Sequence, residues 1–436
     1  MLVYCIIIIL LFVVYLIKKP HYAILTYVPC SILFPNYICL RYTPPALTLH
    51  FILDVLFVSY FIFNRSVKLK SFPLFYVYCY LFFLSIIGVV ISPIGVLQVI
   101  PATISQLMQY MTVVVFYFEL RRFKDLKYST IVIGIIFLLL SIYALGEYIF
   151  QNNFLHEYLY ATINPDLLKG KLYLSHEIRY SSVRCSSLFP ISISWGGFCC
   201  LVLSFLTCLL KLYNYKNMTF VYVILVCLVA FNILISGSRS PMFYFAIILS
   251  GILFSLNFRT GIIVALLVSV VFIVNSDLLE IIITSMKSNS EIVVGSSVDI
   301  RFQQLNAVLN VLNDSPIWGL GSKGIVIAHT RNSEILGAES IWMQQLIFSG
   351  LLGVCFQIYL FYTVYKKLTH NLYGFSHILY TVFVIGWVAF VTLTTSPGLP
   401  ETFFLTIVVL LIKYKKFINK NEYKYYLRLL KKRELA

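Results

Sequence analysis

Apolar runs long enough to cross a bilayer recur along most of the chain, separated by short polar connections. Because such a run is typical of a transmembrane helix, the pattern predicts an all-α polytopic integral membrane protein with about 12–13 transmembrane helices. The first run has no basic segment before it and no small-residue cleavage site after it, which favours a retained helix over a signal peptide. The runs cover residues 2–17, 21–40, 46–63, 72–91, 94–118, 129–150, 190–212, 219–236, 241–257, 261–275, 341–364, 377–395 and 401–412.

Composition agrees with this pattern. Of the 436 residues 60% are hydrophobic and 11% are charged, and the mean hydropathy is +0.90. A soluble core could not bury so many apolar side chains. We therefore expect residues 1–436 to form a single membrane domain.

The positive charges predict the orientation of the chain, because short loops rich in Lys and Arg stay in the cytoplasm. Nearly uncharged connections alternate with the basic ones, so every predicted helix has one cytoplasmic and one outer end. Residues 413–436 then form a basic cytoplasmic tail. The net charge of +16 then reflects this bias and contact with anionic membrane lipids, and no nucleic acid is expected as a partner. The basic connections are at Lys18-Lys19, 64–70, 119–127, 211–216, Arg259 and Lys366-Lys367.

Two long connections fall on the outer side, at residues 151–190 and 276–340. Long connections in a compact fold are usually functional, so the chemistry is expected there. Only one of the ten cysteines, Cys185, lies within them, and no cysteine spacing suggests a disulfide framework or a metal site. Cys185 is predicted to be a packed thiol.

The second long connection contains Gly319–Gly324, a literal match to the dinucleotide fingerprint G-x-G-x-x-G. A nucleotide site needs a strand before this motif and a helix directly after it. Upstream, apolar residues recur at spacings of three and four from Phe302 to Leu312, which predicts an amphipathic helix. Downstream, residues 325–329 form a short apolar run with no nucleotide-type helix. We therefore expect no cofactor, and a glycine turn that allows close approach of the backbone.

Four segments in order resemble the superfamily of O-antigen polymerases (Wzy-type) and O-antigen ligases. They are an Arg- and Ser-rich loop before a helix (179–190), a Gly-Ser-Arg turn between two helices (234–241), an Arg, amphipathic helix and Pro-x-x-Gly-x-Gly segment (301–321), and the helix that follows (339–353). Ligases typically carry a His-Asn pair where this chain has Glu339-Ser340, which favours a polymerase. His329 keeps the ligase alternative open.

The resemblance implies a glycosyltransferase at the periplasmic face of the cell inner membrane. Its substrate would be an undecaprenyl-diphosphate-linked oligosaccharide, and its partners the flippase and chain-length regulator of the same pathway. The planar forks of Arg179, Arg184, Arg239 and Arg301 are suited to bind the diphosphate. Arginines that mark topology or reach toward the headgroups are the alternative. Ser240 as the N-cap of the next helix, with Pro241 in its first turn, would add a positive helix end.

Glycosyl transfer also needs a base for the acceptor hydroxyl. Glu339, at the membrane entry of a helix, is the first candidate, and His329 is the second. An acid that stabilises its own helix dipole and a solvated loop histidine are the respective alternatives. The outer aspartates Asp166, Asp277, Asp299 and Asp314 each stand alone, so we expect a metal-independent mechanism.

A transporter or flippase would have a similar composition and length. His50 and Asp54 lie one turn apart on the third predicted helix and could form a proton relay, or a buried pair that holds helices together. Flippases usually have short outer loops and detectable inverted repeats, and the sequence shows neither. A structural scaffold does not explain the outer arginines.

Overall fold

A computed structural model of the chain describes residues 2–18, 37–42, 47–64, 69–120, 123–163, 178–179, 182–213, 219–255, 262–263, 266–267, 269–270, 298–313, 315–331, 340–372, 374–394 and 401–415. Most of the basic tail, much of the second long connection including Glu339, and most of the second apolar run lie outside these ranges.

Nearly all of the described elements are helices. They are α1 (Leu2–Lys18), α2 (Leu49–Asn64), α3 (Phe75–Val90), α4 (Val96–Glu119), α5 (Phe123–Phe150), α6 (Phe154–Thr162), α7 (Ser192–Tyr213), α8 (Thr219–Ile235), α9 (Arg239–Ser255), α10 (Val298–Val311), α11 (Gly324–Arg331), α12 (Ile341–Thr369), α13 (Gly374–Thr392) and α14 (401–415). Two short hairpins, β1 (Cys39–Arg41) with β2 (Leu47–Thr48) and β3 (Ile178–Arg179) with β4 (Ser182–Val183), are antiparallel.

The described residues include four helices long and apolar enough to cross a membrane, α4, α5, α7 and α12, and further apolar helices that are shorter. The all-α polytopic membrane fold predicted from the sequence is thereby confirmed. Along the most apolar stretch of α7, 89% of the residues are buried, against 39% for α5. Helix α7 is therefore central, whereas α5 presents one face outward.

Aromatic rings form much of the packing around α7. Trp195 and Phe198 lie on α7, and the Phe198 ring is 4.9 Å from that of Phe403 on α14. The ring of Trp387, on α13, stacks on that of Phe404 with 4.6 Å between centroids. Large rings supply much buried apolar area with few rotatable bonds. These rings hold α7, α13 and α14 together.

Two local predictions are wrong. The end of the second apolar run is strand β1, because it pairs with β2 across a short connection. The run after the glycine turn is helical, forming α11. The amphipathic helix predicted upstream is present as α10. The first long connection contains a short helix, α6, whose start is capped when Asn153 accepts a hydrogen bond from the N–H of His156 at 3.1 Å.

Helix α12 is broken at Gly350, where φ is 59° and ψ is −149°. In a regular helix, the N–H groups of Leu351 and Leu352 would donate to the carbonyls four residues earlier. Residues 316–321 form hydrogen bonds with the free N–H and C=O groups on both sides of the break. Within a membrane, such backbone groups must have partners inside the protein. The hydrogen bonds run from Leu351 N to Pro316 O (3.0 Å), Leu352 N to Ile317 O (3.3 Å), Leu320 N to Ile347 O (2.7 Å) and Gly321 N to Phe348 O (3.0 Å).

The glycines of the fingerprint serve this insertion. A Cβ on Gly319 (φ 73°) would lie 2.5 Å from the backbone nitrogen of Gly350, and one on Gly321 (φ 77°) would lie 2.7 Å from the carbonyl oxygen of Gly88 in α3. No side chain fits at these distances. The element that the glycine turn approaches is therefore the protein's own backbone, at the break in α12 and at the end of α3.

Candidate functional site

The turn between α8 and α9, residues 236–238, is the centre of the candidate site. Gly237 adopts φ 58°, and its N–H donates to the carbonyl of Leu234 at 2.9 Å. A Cβ at Gly237 would lie 3.3 Å from Cγ of Arg184. The turn thus favours glycine for two reasons: its positive φ, and the arginine side chain that lies directly against it.

Arg184 belongs to the first long connection, yet its side chain is only 7% exposed and is bonded to this turn. Its Nε donates to the carbonyl of Ser236 at 3.3 Å, and its Nη2 donates to Oγ of Ser238 at 2.5 Å. The next residue, Cys185, donates its N–H to the carbonyl of Ile235 at 3.0 Å. The Arg- and Ser-rich loop and the Gly-Ser-Arg turn are therefore one structural unit.

Cys185 is fully buried. Burial, with a smaller contribution from the nearby Glu147, raises the pKa of the Cys185 thiol. A neutral, enclosed thiol is a poor nucleophile. The prediction of a packed thiol is confirmed.

The segment that follows Arg184 is held by Glu147, near the end of α5. The Glu147 carboxylate accepts hydrogen bonds from the N–H of Ser186 at 3.1 Å and from the N–H of Ser187 at 2.8 Å. Asn153 adds a bond from its amide to the carbonyl of Ser187 at 2.8 Å. Hydrogen bonds from N–H groups to a carboxylate are strong, so this acid fixes the backbone that carries Arg184. Glu147 is not among the site residues predicted from the sequence. The one signal for it is that it is an acid in the last turn of an apolar run, where a charge is costly.

Arg301 and Ser240, from different helices, both donate a hydrogen bond to the carbonyl oxygen of Leu393. Nη2 of Arg301, on α10, donates to the carbonyl of Leu393 at 3.1 Å, and Oγ of Ser240, on α9, donates to it at 2.9 Å. Leu393 directly follows α13, and a cation at a helix C-terminus is favourable. The indole of Trp342, at the start of α12, donates to Oγ1 of Thr392 at 2.9 Å. We call the end of the bundle where these groups meet the outer end.

Arg239 is the first residue of α9 and is half-buried. Ser240 therefore lies inside α9, and its hydroxyl bonds to Leu393, so its prediction as an N-cap is wrong. Pro241 lies in the first turn as predicted. The positive end of the α9 dipole lies beside Arg239 and the 236–238 turn, where it adds to the positive charge of Arg184 and Arg239.

The part of the chain that the structure describes does not bring the remaining predicted site residues together. Glu339 lies outside the described residues. Arg179 is described only as backbone, in β3, where it pairs with Ser182. His329 is exposed on α11, which packs on α10 and α12.

No group of three His, Cys, Asp or Glu side chains that could hold a metal ion occurs in the described part of the chain. The intramembrane pair considered for transport is a direct contact, with Nδ1 of His50 2.9 Å from Oδ2 of Asp54, and both side chains are buried. Helix α2, which carries the pair, packs on α1 and α4.

The structure is that of a multi-pass membrane protein with arginines and a helix N-terminus at one end of the bundle. Residues 223–358 match the Wzy_C family model, described as O-Antigen ligase. The match runs from α8 into α12 and includes the 236–238 turn, Arg239, Arg301 and the glycine turn. It supports the O-antigen ligase/polymerase superfamily of membrane glycosyl-transferring enzymes. It does not separate polymerase from ligase. Comparison with curated proteins finds no match.

Proposed function

We propose that the chain is a surface-polysaccharide polymerase that joins polyprenyl-diphosphate-linked oligosaccharide repeats at the periplasmic face of the inner membrane. The observation that carries the proposal is the convergence of Arg184, Arg301 and the start of α9 at the outer end. These groups come from three separate stretches of sequence. Their shared chemistry is the binding of phosphate oxygens.

The proposed roles of the arginines follow from their positions. Arg239, half-buried at the positive end of α9, binds the diphosphate directly, with Arg301 beside it and Arg179 as a further contact. Arg184 already donates to Ser236 and Ser238, so it also sets the shape of the turn that presents Arg239. Fixed cations at this place stabilise the negative charge that develops on the departing diphosphate.

The transfer itself requires a proton acceptor. In the proposed step, an acceptor hydroxyl forms a bond to the anomeric carbon of the donor, the bond from that carbon to the diphosphate breaks, and the hydroxyl proton passes to a base. We propose Glu339 as that base. It directly precedes Ser340, which caps α12 by accepting from the N–H of Trp342, and Trp342 contacts Thr392, next to the carbonyl that Arg301 binds.

A ligase is the second candidate, favoured by the description of the matching family. In that case, the acceptor would be a different glycolipid and His329 the base. Flippase and chain-length regulator remain the proposed partners in the pathway for the polymerase. A flippase function of this chain itself is less well supported, because the direct contact of the buried side chains of His50 and Asp54 also fits a pair that holds helices together.

The test uses a deletion strain supplied with the wild-type chain, Arg239→Ala or the control Arg331→Ala, which removes an exposed arginine of α11. Surface lipopolysaccharide is separated on a gel. We expect the deletion to show core plus a single repeat, and wild type and the control to restore the ladder. Arg239→Ala, at equal abundance, should reduce the ladder at least tenfold, because a charge-assisted contact contributes about 1.5–3 kcal/mol. Bare core without a single repeat in the deletion would contradict polymerisation and favour export or ligation.

A further inference from the structure

A polar cavity of about 200 Å³ lies at the outer end between α3, α4 and α12, beside the glycine turn. Its volume is that of several waters or of one pyranose ring. Its lining combines amide, hydroxyl and carboxylate groups with aliphatic and aromatic side chains. The polar lining residues are Ser85, Thr103, Gln106, Tyr110, Ser322, Lys323, Gln344, Gln345, Ser349 and Glu401.

Glu401, the first residue of α14, supplies the carboxylate in this cavity. The hydroxyl of Tyr110 hydrogen-bonds to Glu401, and the amide of Gln106 hydrogen-bonds to Tyr110. Tyr110, which also lines the cavity, is buried, so its hydroxyl holds the carboxylate in place, while Glu401 is half-buried. An acid placed at the membrane entry of an apolar helix costs free energy, and such groups are functional by default.

The glycine turn closes one wall of the cavity. Ser322 donates its N–H to the carbonyl of Gly88 at 2.8 Å and accepts at its own carbonyl from Oγ of Ser92, also at 2.8 Å. Lys323 extends its ammonium group to the carbonyl of Gln98 at 3.2 Å. The fingerprint motif thus builds a wall between α3 and the start of α4, and the break at Gly350 allows it to reach that place.

The cavity adjoins, through α12, the place where Arg184, Arg239 and Arg301 lie, which we call the arginine site. Ile341 and Gln344 line the cavity, and Trp342, between them on the same first turn, bonds to Thr392 beside Leu393. The two places differ in charge. Within the described lining, Lys323 is the one cation and Glu401 the one acid. The arginine site therefore suits an anion, whereas the cavity suits an uncharged polar ligand.

We propose that this cavity binds one sugar ring of the acceptor oligosaccharide, at the end distant from its lipid. The inference rests on the proposed function and assigns the acceptor a place separate from the diphosphate. Carboxylate and amide groups accept and donate to vicinal hydroxyls, and the ring of Phe348 or Phe356 offers the apolar face that a pyranose covers. Glu401 acts as the principal acceptor of a sugar hydroxyl.

The experiment measures binding without turnover. The full chain is placed in lipid nanodiscs, and the probe is the repeat oligosaccharide released by mild acid from the lipid carrier of the deletion strain. Saturation-transfer NMR gives its Kd for wild type, Glu401→Gln and Gln345→Ala. The control, Glu157→Gln, replaces an exposed acid on α6. Equal unfolding midpoints establish that each variant is folded, and Gln345→Ala, a half-buried helical position, serves if Glu401→Gln does not fold.

We expect Glu401→Gln to weaken binding about tenfold, because a charge-assisted hydrogen bond is lost, and Gln345→Ala to weaken it severalfold. The control should bind as wild type does. An unchanged Kd in both cavity variants would overturn the inference, even where the wild-type chain restores the ladder. Loss of binding in the cavity variants, with no ladder from the wild type, would instead support the sugar site and contradict the polymerase.

Discussion

Arg184 shows why an arginine is needed where the first long connection meets the 236–238 turn. Its two nitrogens bond to groups two residues apart, the carbonyl of Ser236 and the hydroxyl of Ser238. A guanidinium presents its donors in a fixed plane, whereas an ammonium group is a single point charge. Because the side chain is buried, any donor or acceptor left without its partner loses water as well as the bond.

Arg184→Lys should therefore lower the stability of the protein by about 1.5–3 kcal/mol while keeping the charge. Arg41→Lys, at an exposed arginine of β1, is the matched control and should change the stability by no more than about 0.5 kcal/mol, as is usual for a surface substitution. The measurement is the thermal unfolding midpoint of the purified chain in detergent. A midpoint for Arg184→Lys equal to that of the control would show that the fork geometry does not matter.

The sequence placed the arginines on one side of the membrane but could not rank them by environment. Arg184 and Arg239 both lie beside serines in polar stretches, and only packing makes Arg184 buried and Arg239 half-buried. Glu147 and Glu401 were not singled out, since each is one acid at the end of an apolar run and its partners lie far away in sequence. Such long-range contacts leave no local pattern to read.

At the scale of elements, α12 and the 316–321 segment depend on one another. The break at Gly350 leaves four backbone N–H and C=O groups without a partner in the helix, and the segment forms a hydrogen bond with each of them. Gly350 lies in a region of φ and ψ that side chains with a Cβ avoid, at a cost of about 1–3 kcal/mol. A Cβ there would also lie 2.4 Å from the carbonyl oxygen of Ile317. The segment, the cavity wall and the start of α12 thus rely on this glycine.

Gly350→Ala should reduce the yield of folded protein strongly, with at least about 2 kcal/mol lost in unfolding free energy. Gly134→Ala in α5 is the control, because nothing lies within 4 Å of a Cβ at that position. A helical Gly-to-Ala change there should stabilise by about 0.5–1 kcal/mol. Fluorescence-detected size exclusion of a tagged chain measures both yields. Equal monodisperse peaks for the two variants would contradict the proposed dependence.

The long elements were readable from the sequence, since apolar runs mark α3, α4, α7 and α12 to within a few residues. Short elements were not. Helix α11 follows a motif that was assigned to a turn, and its eight residues carry too little periodicity to identify a helix. The hairpin of β1 and β2 is set by pairing rather than by propensity. The function of the glycine motif became clear only from the break at Gly350, which the sequence does not mark.

For the whole molecule, the proposed function depends on orientation. The outer end carries the arginine site and the cavity, whereas the basic connections lie at the opposite ends of the helices. Short loops rich in Lys and Arg remain in the cytoplasm, so the outer end should face the periplasm, where lipid-linked repeats would be joined. Thr162, exposed at the end of α6, and Lys124, exposed at the start of α5, mark the two sides.

Cysteines introduced one at a time at these two positions test the orientation. In spheroplasts, a membrane-impermeant maleimide should label Thr162→Cys at once and Lys124→Cys only after lysis. The wild-type chain, labelled in parallel, gives the background, because Cys79 on α3 and Cys355 on α12 are exposed. Cys185 should add little to it, since burial raises the pKa of its thiol and a maleimide reacts with the thiolate. The opposite pattern would place Arg239 and the cavity in the cytoplasm. Polymerisation at the periplasmic face would then be impossible for this chain.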